Sequence, residues 1–523
     1  MNIIKVLDCT LRDGGYCNNW NFGKENIKQI INGLQAANVD IVECGFLTNK
    51  VEFKSNNTKY TSLNQLDEFI PKHNMDKEFV VMMNYGEYDV NDIPEKKDTR
   101  IDGIRLAFHK NNRYDAIMLC NALKDKGYKV YVQPMVSMSY TEEEFIEIIE
   151  LVNRINPHAF YIVDSFGTMQ EENLDFYYDI CTKHLNEDVY IGFHSHNNLQ
   201  SAFSNAKSLI KKDRRIIIDA SVYGMGRGAG NLNVELFLNE LNKSFFNRYD
   251  IKPIIHIMDN IINGFYEMNP WGYSLPNYLS AVHMVHPNYA KYLTEKKSIQ
   301  LDDMDEILSM LQEDKAYEYD EKYIEKLYIK YMSAGIERND HLKDIVKKTK
   351  GKKILLIAPG RTAFAEKEKI IDFVKSYEPI VISINHNYTY VKSDYIFVSN
   401  MRRFSKLSEK EYRKTITTSN IKNLETYASI DYYSLLNMVG EVKDNAGLMA
   451  LNFIKKELEV EEVFIAGMDG YSADVKGNYE NEDLLFIMSE ELMKKKNAGM
   501  IRVLEKYSKD IKITFITSTL LRE

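Results

Sequence analysis

Eight short runs rich in Val, Ile and Phe recur through the first 222 residues: Ile3–Leu7, Val39–Phe46, Phe79–Met83, Gly103–Phe108, Lys129–Val136, Phe160–Val163, Val189–Phe193 and Ile216–Val222. Brief, almost continuously apolar runs are the signature of strands buried on both faces of a parallel sheet. Helical patterns lie between them. Asn26–Ala37 is one, Tyr114–Lys126 ends at Gly127, and Thr141–Asn156 opens with Thr141 and Glu144 at capping-box spacing. Strands and helices alternating over this length predict an α/β fold, specifically a (β/α)8 TIM barrel. A doubly wound open sheet is the alternative.

The polar residues sort with the barrel. Chemistry in that fold sits at the C-terminal ends of strands. Arg12 and Asp13 follow the first run, and Glu43 sits in the second. Asn84 closes the third, while Arg105 and His109 lie in and after the fourth. Asp164 and Ser165 end the sixth, His194 and His196 end the seventh, and Asp219 lies in the eighth.

A chain of 523 residues exceeds one core. The expected division is a barrel over 1–265, a helical segment over 266–350 and a Rossmann-like, open-sheet α/β domain over 351–523. The middle segment carries the aromatic insertion Asn269–Ser280 and a lysine-rich linker pattern, His341–Lys353. The last domain shows strand patterns at Lys353–Ala358, Pro379–Asn385, Tyr395–Asn400, Glu462–Gly470 and Ile511–Thr517. A net charge of -9 argues against a nucleic-acid partner. No apolar run reaches the roughly 20 residues of a membrane span. The start of the chain has no signal-peptide layout, and five cysteines without CxxC pairing suit reduced thiols, so a cytoplasmic protein is expected.

His194 and His196 stand at positions i and i+2 of one strand pattern, so both imidazoles face the same way. Strands one and seven are near neighbours in a closed ring of eight, which brings Asp13 to the same point. Two histidines and one carboxylate form a divalent-metal site with open positions; manganese is expected, with magnesium, cobalt or zinc as alternatives. Arg12 beside it could stabilise an enolate oxygen or simply form a buried ion pair. The glycine cluster Gly224–Asn231 could bring backbone N–H groups, at Gly226 and Gly228, to an anionic substrate. It is equally a tight turn.

Four ordered blocks, LDCTLRDGGY, DSFGTM, GFHSHNNLQSA and DASVYGMGRGAGN, resemble the signature of the HMG-CoA lyase-like (DRE-TIM) metallolyases over about residues 1–285, with 4-hydroxy-2-oxovalerate aldolase the nearest branch. That resemblance implies Asp13, His194, His196 and Asn231 as metal ligands. It implies Arg12 as the enolate-stabilising group and Ser165 as a substrate-positioning group. The implied reaction makes or cleaves a carbon–carbon bond between a 2-oxo acid, pyruvate, and an aldehyde. The branch's histidine shortly after RDG is missing: the chain reads Gly14-Gly15-Tyr16-Cys17. Tyr16, with a lowered pKa, or His109 is then expected to move the proton. No cysteine occurs in GMGRGAGN, which argues against HMG-CoA cleavage; a Claisen-type synthase acting on an acyl-CoA is the alternative on this barrel. The last domain loosely resembles sialyltransferase-type nucleotide-sugar domains through APGRT, SINHN and AGMDGY. That would place Gly360 and Arg361 at phosphate and Asp469 at a ribose or metal; an APG turn is also an ordinary strand–helix connector. Assembly as a homo-oligomer is left open.

Overall fold

The computed structural model describes residues 3–71, 77–245, 247–296, 299–335, 341–422, 425–472 and 490–522. They form two compact units, Met1–Lys291 with Gln312–Tyr319, and Tyr292–Leu311 with Asp320–Glu523. The segment from 266 to 350 is thus shared between them.

The first unit is a closed parallel barrel. Its strands are β1 (Ile4–Asp8), β2 (Ile41–Leu47), the two-residue β3 (Lys59–Tyr60), β4 (Glu78–Asn84), β5 (Gly103–Phe108), β6 (Lys129–Pro134), β7 (Ala159–Asp164), β8 (Tyr190–Ser195) and β9 (Ile216–Ala220). The order β1-β9-β8-β7-β6-β5-β4-β2 is closed by pairing of β1 with β2, and β3 is appended to β2. Closure excludes the open-sheet alternative. Side chains alternate inward and outward along each strand. Inward residues Leu7, Ile41, Val80, Tyr131, Ala159, Tyr161, Tyr190 and Ile217 fill the lower barrel as one buried cluster. Outward residues such as Val6, Val42, Val81, Ile162 and Ile218 pack under the helices.

The helices follow their local chemistry. Glu142–Ile155 begins with the expected capping box: Glu144 N–H donates to Thr141 Oγ1 at 3.3 Å, and Thr141 N–H donates to Glu144 Oε2 at 2.9 Å. Its buried stripe is Phe145, Ile148, Ile149 and Val152, at helical spacing. A register shift between Glu43 and Phe46 in β2 is set by Gly45, at φ 142, where a Cβ would lie 2.1 Å from the Thr58 carbonyl oxygen. The irregularity keeps both Glu43 and Phe46 inside the barrel.

After the barrel, the chain stays with the first unit through the aromatic insertion. Trp271 Nε1 donates to the Tyr223 carbonyl at 2.9 Å, and Leu275–Val282 is helical. The segment Gln312–Tyr319 returns to this unit. His286 N–H donates to the Ala316 carbonyl at 2.8 Å, and the Tyr289 hydroxyl sits between the carbonyls of Lys315 and Glu318.

The second unit holds an all-parallel sheet of β10 (Ile354–Ile357), β11 (Ile380–Ile384), β12 (Tyr395–Val398), β13 (Thr415–Thr418), β14 (Ala428–Ile430), β15 (Glu462–Ala466) and β16 (Lys512–Phe515), in the order β14-β13-β12-β11-β10-β15-β16. This is the expected open sheet, with β13 and β14 added. The strand order reverses between β10 and β15, and their loops meet there. Thr362 N–H donates to Asp469 Oδ2 at 2.8 Å, its hydroxyl bonds Oδ1, and Gly360 N–H donates to the Gly467 carbonyl at 2.8 Å. Both oxygens of Asp469 are therefore engaged within the protein. Gly360 serves the close approach of the two loops. The polar run expected as a linker is different: Leu342–Thr349 is a helix of this unit that buries Ile345 and Thr349 one turn apart.

Candidate metal centre

The site is built from strand-end loops. Beyond β1 the chain turns tightly, with Arg12 and Asp13 N–H groups donating to the Cys9 carbonyl at 3.1 and 2.8 Å. Asp8 holds this turn by accepting from Thr10 N–H at 2.9 Å. His194 lies within β8 and His196 just past it, bridged to Asn231. All four of Asp13, His194, His196 and Asn231 are buried. One ligand atom from each of Asp13, His194 and His196 lies within 4.8 Å of the others.

The chemistry of the donor set fits a divalent cation. His194 Nδ1 is bonded to Asp219 Oδ2 at 3.0 Å, which leaves Nε2 for a ligand. His196 Nδ1 and Asn231 Oδ1 are buried without a protein partner. Asn231 Nδ2 donates to Asp13 Oδ2 at 2.8 Å, so the amide oxygen is the end turned away from the carboxylate. Burial pushes His196 down to about 3, against the pull of Asp13, so the ring is neutral and one of its nitrogens keeps a lone pair for a ligand. Burial acts to raise Asp13, yet the charge of the adjacent Arg12, with Arg227 further off, holds its carboxyl far below the usual carboxylate range.

Beneath the site runs an alternating chain of buried charges. Asp219 pairs with Arg105, Arg105 Nη1 lies 2.8 Å from Glu43 Oε2, and Arg12 Nε donates to the same oxygen at 2.9 Å. Arg12 Nη1 then donates to Asp13 Oδ1 at 2.5 Å. The chain thus links His194 to Asp13 through the barrel interior. Arg12 Nη2 remains buried and unpartnered.

Above lies a cavity of about 230 Å³, lined by Arg12, Asp13, Tyr16, Asn84, His109, Gln133, Ser165, His194, His196, Arg227, His286 and Tyr317, with Phe46, Met82, Ala107, Met135, Val136, Val163 and Phe166. Ser165 Oγ accepts from Val136 N–H at 2.9 Å, so its own proton points elsewhere. Tyr16 lies edge-on to Trp20 at 4.6 Å. Burial raises its pKa, and Arg227 only partly offsets this; the lowered value expected for Tyr16 is corrected, and it acts as a neutral phenol. His109 is half-buried at the rim with Nδ1 3.8 Å from Glu318, and burial lowers its pKa. Asp164 does not line the cavity. It accepts from Thr168 and Met169 N–H groups at 2.9 and 3.2 Å.

The glycine loop works differently from expectation. Neither Gly226 nor Gly228 lines the cavity. A Cβ on Gly226 would lie 2.3 Å from Asn231 Nδ2 and 2.7 Å from Asp13 Oδ2, so this glycine lets the loop close over the ligands. Gly228, at φ 67, packs on Asn198. The loop residue that reaches the cavity is Arg227, which sequence reasoning passed over although it is the one charge in GMGRGAGN. Gln133, with Nε2 buried and unpartnered, was likewise missed as a lone amide in an apolar strand. His286 and Tyr317 carried no sequence signal, because the fold alone returns residues 312–319 to the barrel.

Residues 109–260 match the HMGL-like family. A 4-hydroxy-2-oxovalerate aldolase of Geobacillus genomosp. 3 is 28% identical over 244 residues, covering 46% of this chain and 71% of the relative. One of Pseudoalteromonas translucida is 24% identical over 265 residues, covering 50% and 76%. The solved N-terminal domain of a candidate aldolase from Bacteroides vulgatus is 27% identical, with a TM-score of 0.48, covering 56% of this chain and 97% of that chain. The resemblance read from the four motifs agrees with these comparisons: the barrel is similar to HMGL-like domains and to 4-hydroxy-2-oxovalerate aldolases. Among the described residues, no helix is long and apolar enough to cross a membrane.

Proposed function

We propose that the barrel is a divalent-metal-dependent aldolase that forms or cleaves a carbon–carbon bond beside a 2-oxo acid, pyruvate being the simplest. The observation that carries this is the meeting of Asp13, His194 and His196 beneath a cavity that Arg12 also lines. Asp13, His194, His196 and Asn231 would hold the ion, and manganese suits their mixed oxygen and nitrogen donors. When bound, such an ion supplies Lewis-acid stabilisation of developing negative charge on oxygen.

The remaining roles belong to the protein. Arg12 Nη2 donates to the enolate oxygen of the three-carbon fragment, from a position that Asp13 and Glu43 fix before the substrate arrives. Ser165 donates its hydroxyl proton to the substrate carboxylate. In the cleavage direction His109, neutral at physiological pH, accepts the proton of the 4-hydroxyl as the bond to C3 breaks and the aldehyde leaves. Tyr16, a neutral phenol, then gives a proton to C3 of the enolate. Apolar Met82, Ala107, Met135 and Val163 limit water around the enolate.

The test is proton exchange. The full chain loaded with manganese is incubated with pyruvate in D2O and the methyl signal followed by NMR. Exchange is expected without any aldehyde. Absence of exchange with manganese, magnesium, cobalt and zinc refutes the reading.

A further inference from the structure

Three buried or half-buried arginines, Arg105, Arg12 and Arg227, lie in or at the mouth of the barrel, and they differ in one respect. Arg105 pairs with Glu43 and Asp219. Arg12 pairs with Asp13 and Glu43. Among the described residues, no carboxylate pairs with the Arg227 guanidinium. Its Nη2 donates to the Ser165 carbonyl at 2.8 Å, its Nε is buried without a partner, and its charge lies 5.6 Å from the Tyr16 ring centre. Nη1 faces His286 Nε2 at 3.4 Å.

The last contact exposes a mismatch in hydrogen-bonding capacity. Asn288 N–H faces the other ring nitrogen, His286 Nδ1, at 3.2 Å. A neutral imidazole has only one acceptor nitrogen. Two donors therefore face a ring that can answer one of them, and the shorter contact goes to the backbone amide. In the tautomer that accepts from Asn288, Nε2 carries the proton and confronts Arg227 Nη1 donor to donor. Protonating the ring adds a donor and worsens the mismatch. With Nε2 protonated, two N–H groups meet at residues that line the cavity with no protein acceptor between them.

The position of this pair says which part of a substrate it meets. Arg227 and His286 line the cavity together with Tyr317. Tyr317 stacks on Phe166 at 6.1 Å, and Phe166 lies edge-on to His286 at 6.0 Å. Tyr317, His109, Met135 and Val136 also line a larger groove of about 960 Å³, whose other walls carry both signs of charge, Lys110 and Lys315 with Glu313, Asp314 and Glu318. Because His109, which lines both, is the proposed acceptor of the 4-hydroxyl proton, the groove lies towards the aldehyde half under that reading.

We propose that Arg227 and His286 form a subsite for an anionic group, carboxylate or phosphate, on the aldehyde half of the substrate. This deepens the aldolase reading and rests on it. An anion there accepts from Arg227 Nη1 and His286 Nε2 at once and supplies the charge that the guanidinium lacks. The enzyme would thus act on acidic or phosphorylated aldehydes in preference to neutral ones.

Condensation with pyruvate is measured for two matched pairs, succinic semialdehyde against butanal and glyceraldehyde 3-phosphate against glyceraldehyde; the pairs separate carboxylate from phosphate. At least one charged member is expected to exceed its neutral partner in kcat/KM by about tenfold or more, as for a charge-assisted hydrogen bond. Arg227→Gln should collapse that ratio towards one, and Arg227→Lys should keep part of it. A wild-type enzyme with no preference in either pair overturns the proposal. So does an Arg227→Gln variant that lowers both members of a pair equally and slows pyruvate exchange by the same factor, since Arg227 would then serve the 2-oxo acid. A second readout needs no turnover. Succinate and inorganic phosphate are titrated into the metal-free full chain, and a rise in melting temperature is expected for wild type and lost in Arg227→Gln. Equal shifts in both proteins also count against the subsite. Failure of wild-type pyruvate exchange would instead remove the aldolase reading, and the melting experiment tells the two failures apart.

Discussion

Asp219→Asn should damage the metal centre and the barrel together. Asp219 is 1% exposed and serves three partners: it pairs with Arg105, accepts from the Tyr161 hydroxyl at 3.0 Å, and holds His194 Nδ1 at 3.0 Å. The amide keeps the shape and removes the charge. Arg105, fully buried, is left with Glu43 alone, and breaking a buried pair from one side costs roughly 3–5 kcal/mol. At roughly 2–4 °C per kcal/mol for domains of about this size, the barrel's melting transition should fall by about 6 °C or more. The second effect is on His194. The carboxylate fixes the proton on Nδ1 and leaves Nε2 as the ligating nitrogen; losing such a partner typically weakens metal binding by about 10–100-fold. The assay is calorimetric titration of manganese into the metal-free full chain, with thermal melts of the same samples. Tyr161→Phe is the control, since it removes one neutral hydrogen bond, worth about 1 kcal/mol, and leaves the imidazole's partner in place. Asp219→Asn binding manganese within about twofold of wild type, with an unmoved transition, would refute the coupling.

Gly226→Ala places a methyl carbon 2.3 Å from Asn231 Nδ2 and 2.7 Å from Asp13 Oδ2, so manganese affinity should drop sharply with little change in fold; unchanged titration would contradict the geometry. Tyr16→Phe should slow pyruvate methyl exchange by about 10²-fold or more, whereas His109→Asn should slow cleavage of a 4-hydroxy-2-oxo acid more than exchange. The opposite ranking would swap the two roles. At the base of the barrel, His158 is packed between the Tyr131 and Tyr190 rings, and burial pushes it down to about 4 from 6.5. The unfolded chain therefore binds a proton that the folded chain refuses between those values, and stability should decline as pH falls from about 6.5 towards 4. Urea melts of His158→Phe at pH 7 and pH 5 should differ less than those of wild type.

Much of the barrel was legible because a closed parallel sheet demands apolar strands, which makes any charge in them conspicuous. Glu43, Arg105, Asp219 and His194 stood out for that reason, and the fold gathers them into one chain of contacts. The capping box at Thr141 was legible because it is purely local. Strands β13 and β14 were not, since their sequences, TITT and ASI, are brief and hydroxyl-rich. They are buried because Thr415 donates to the Glu411 carbonyl at 2.7 Å and Thr417 to the Ala428 carbonyl at 3.3 Å, so the hydroxyls enter the core with acceptors. His286 and Tyr317 were invisible for a different reason. Their place at the cavity depends on Gln312–Tyr319 returning across the chain, a long-range pairing that no local pattern encodes.

The barrel's charges also explain where its chemistry belongs. A buried guanidinium is tolerated when carboxylates surround it, and pairing of that kind makes a rigid scaffold rather than a reactive one. Arg105 is of this sort: it is fully buried and has a carboxylate on either side. One step up, Arg12 is still doubly paired, but it lines the cavity and one of its nitrogens is left without a partner. At the rim, Arg227 has the Ser165 carbonyl and the ring of His286, and no carboxylate among the described residues. Pairing therefore thins out from the floor of the barrel to its mouth. The same gradient that fixes Arg12 in place leaves donors facing the cavity, first at the expected enolate oxygen and then where the second half of a substrate would lie. A fully paired Arg227 would stabilise the loop and have nothing left to offer a ligand, so its incomplete pairing is the feature that ties the Gly224–Asn231 loop to substrate choice.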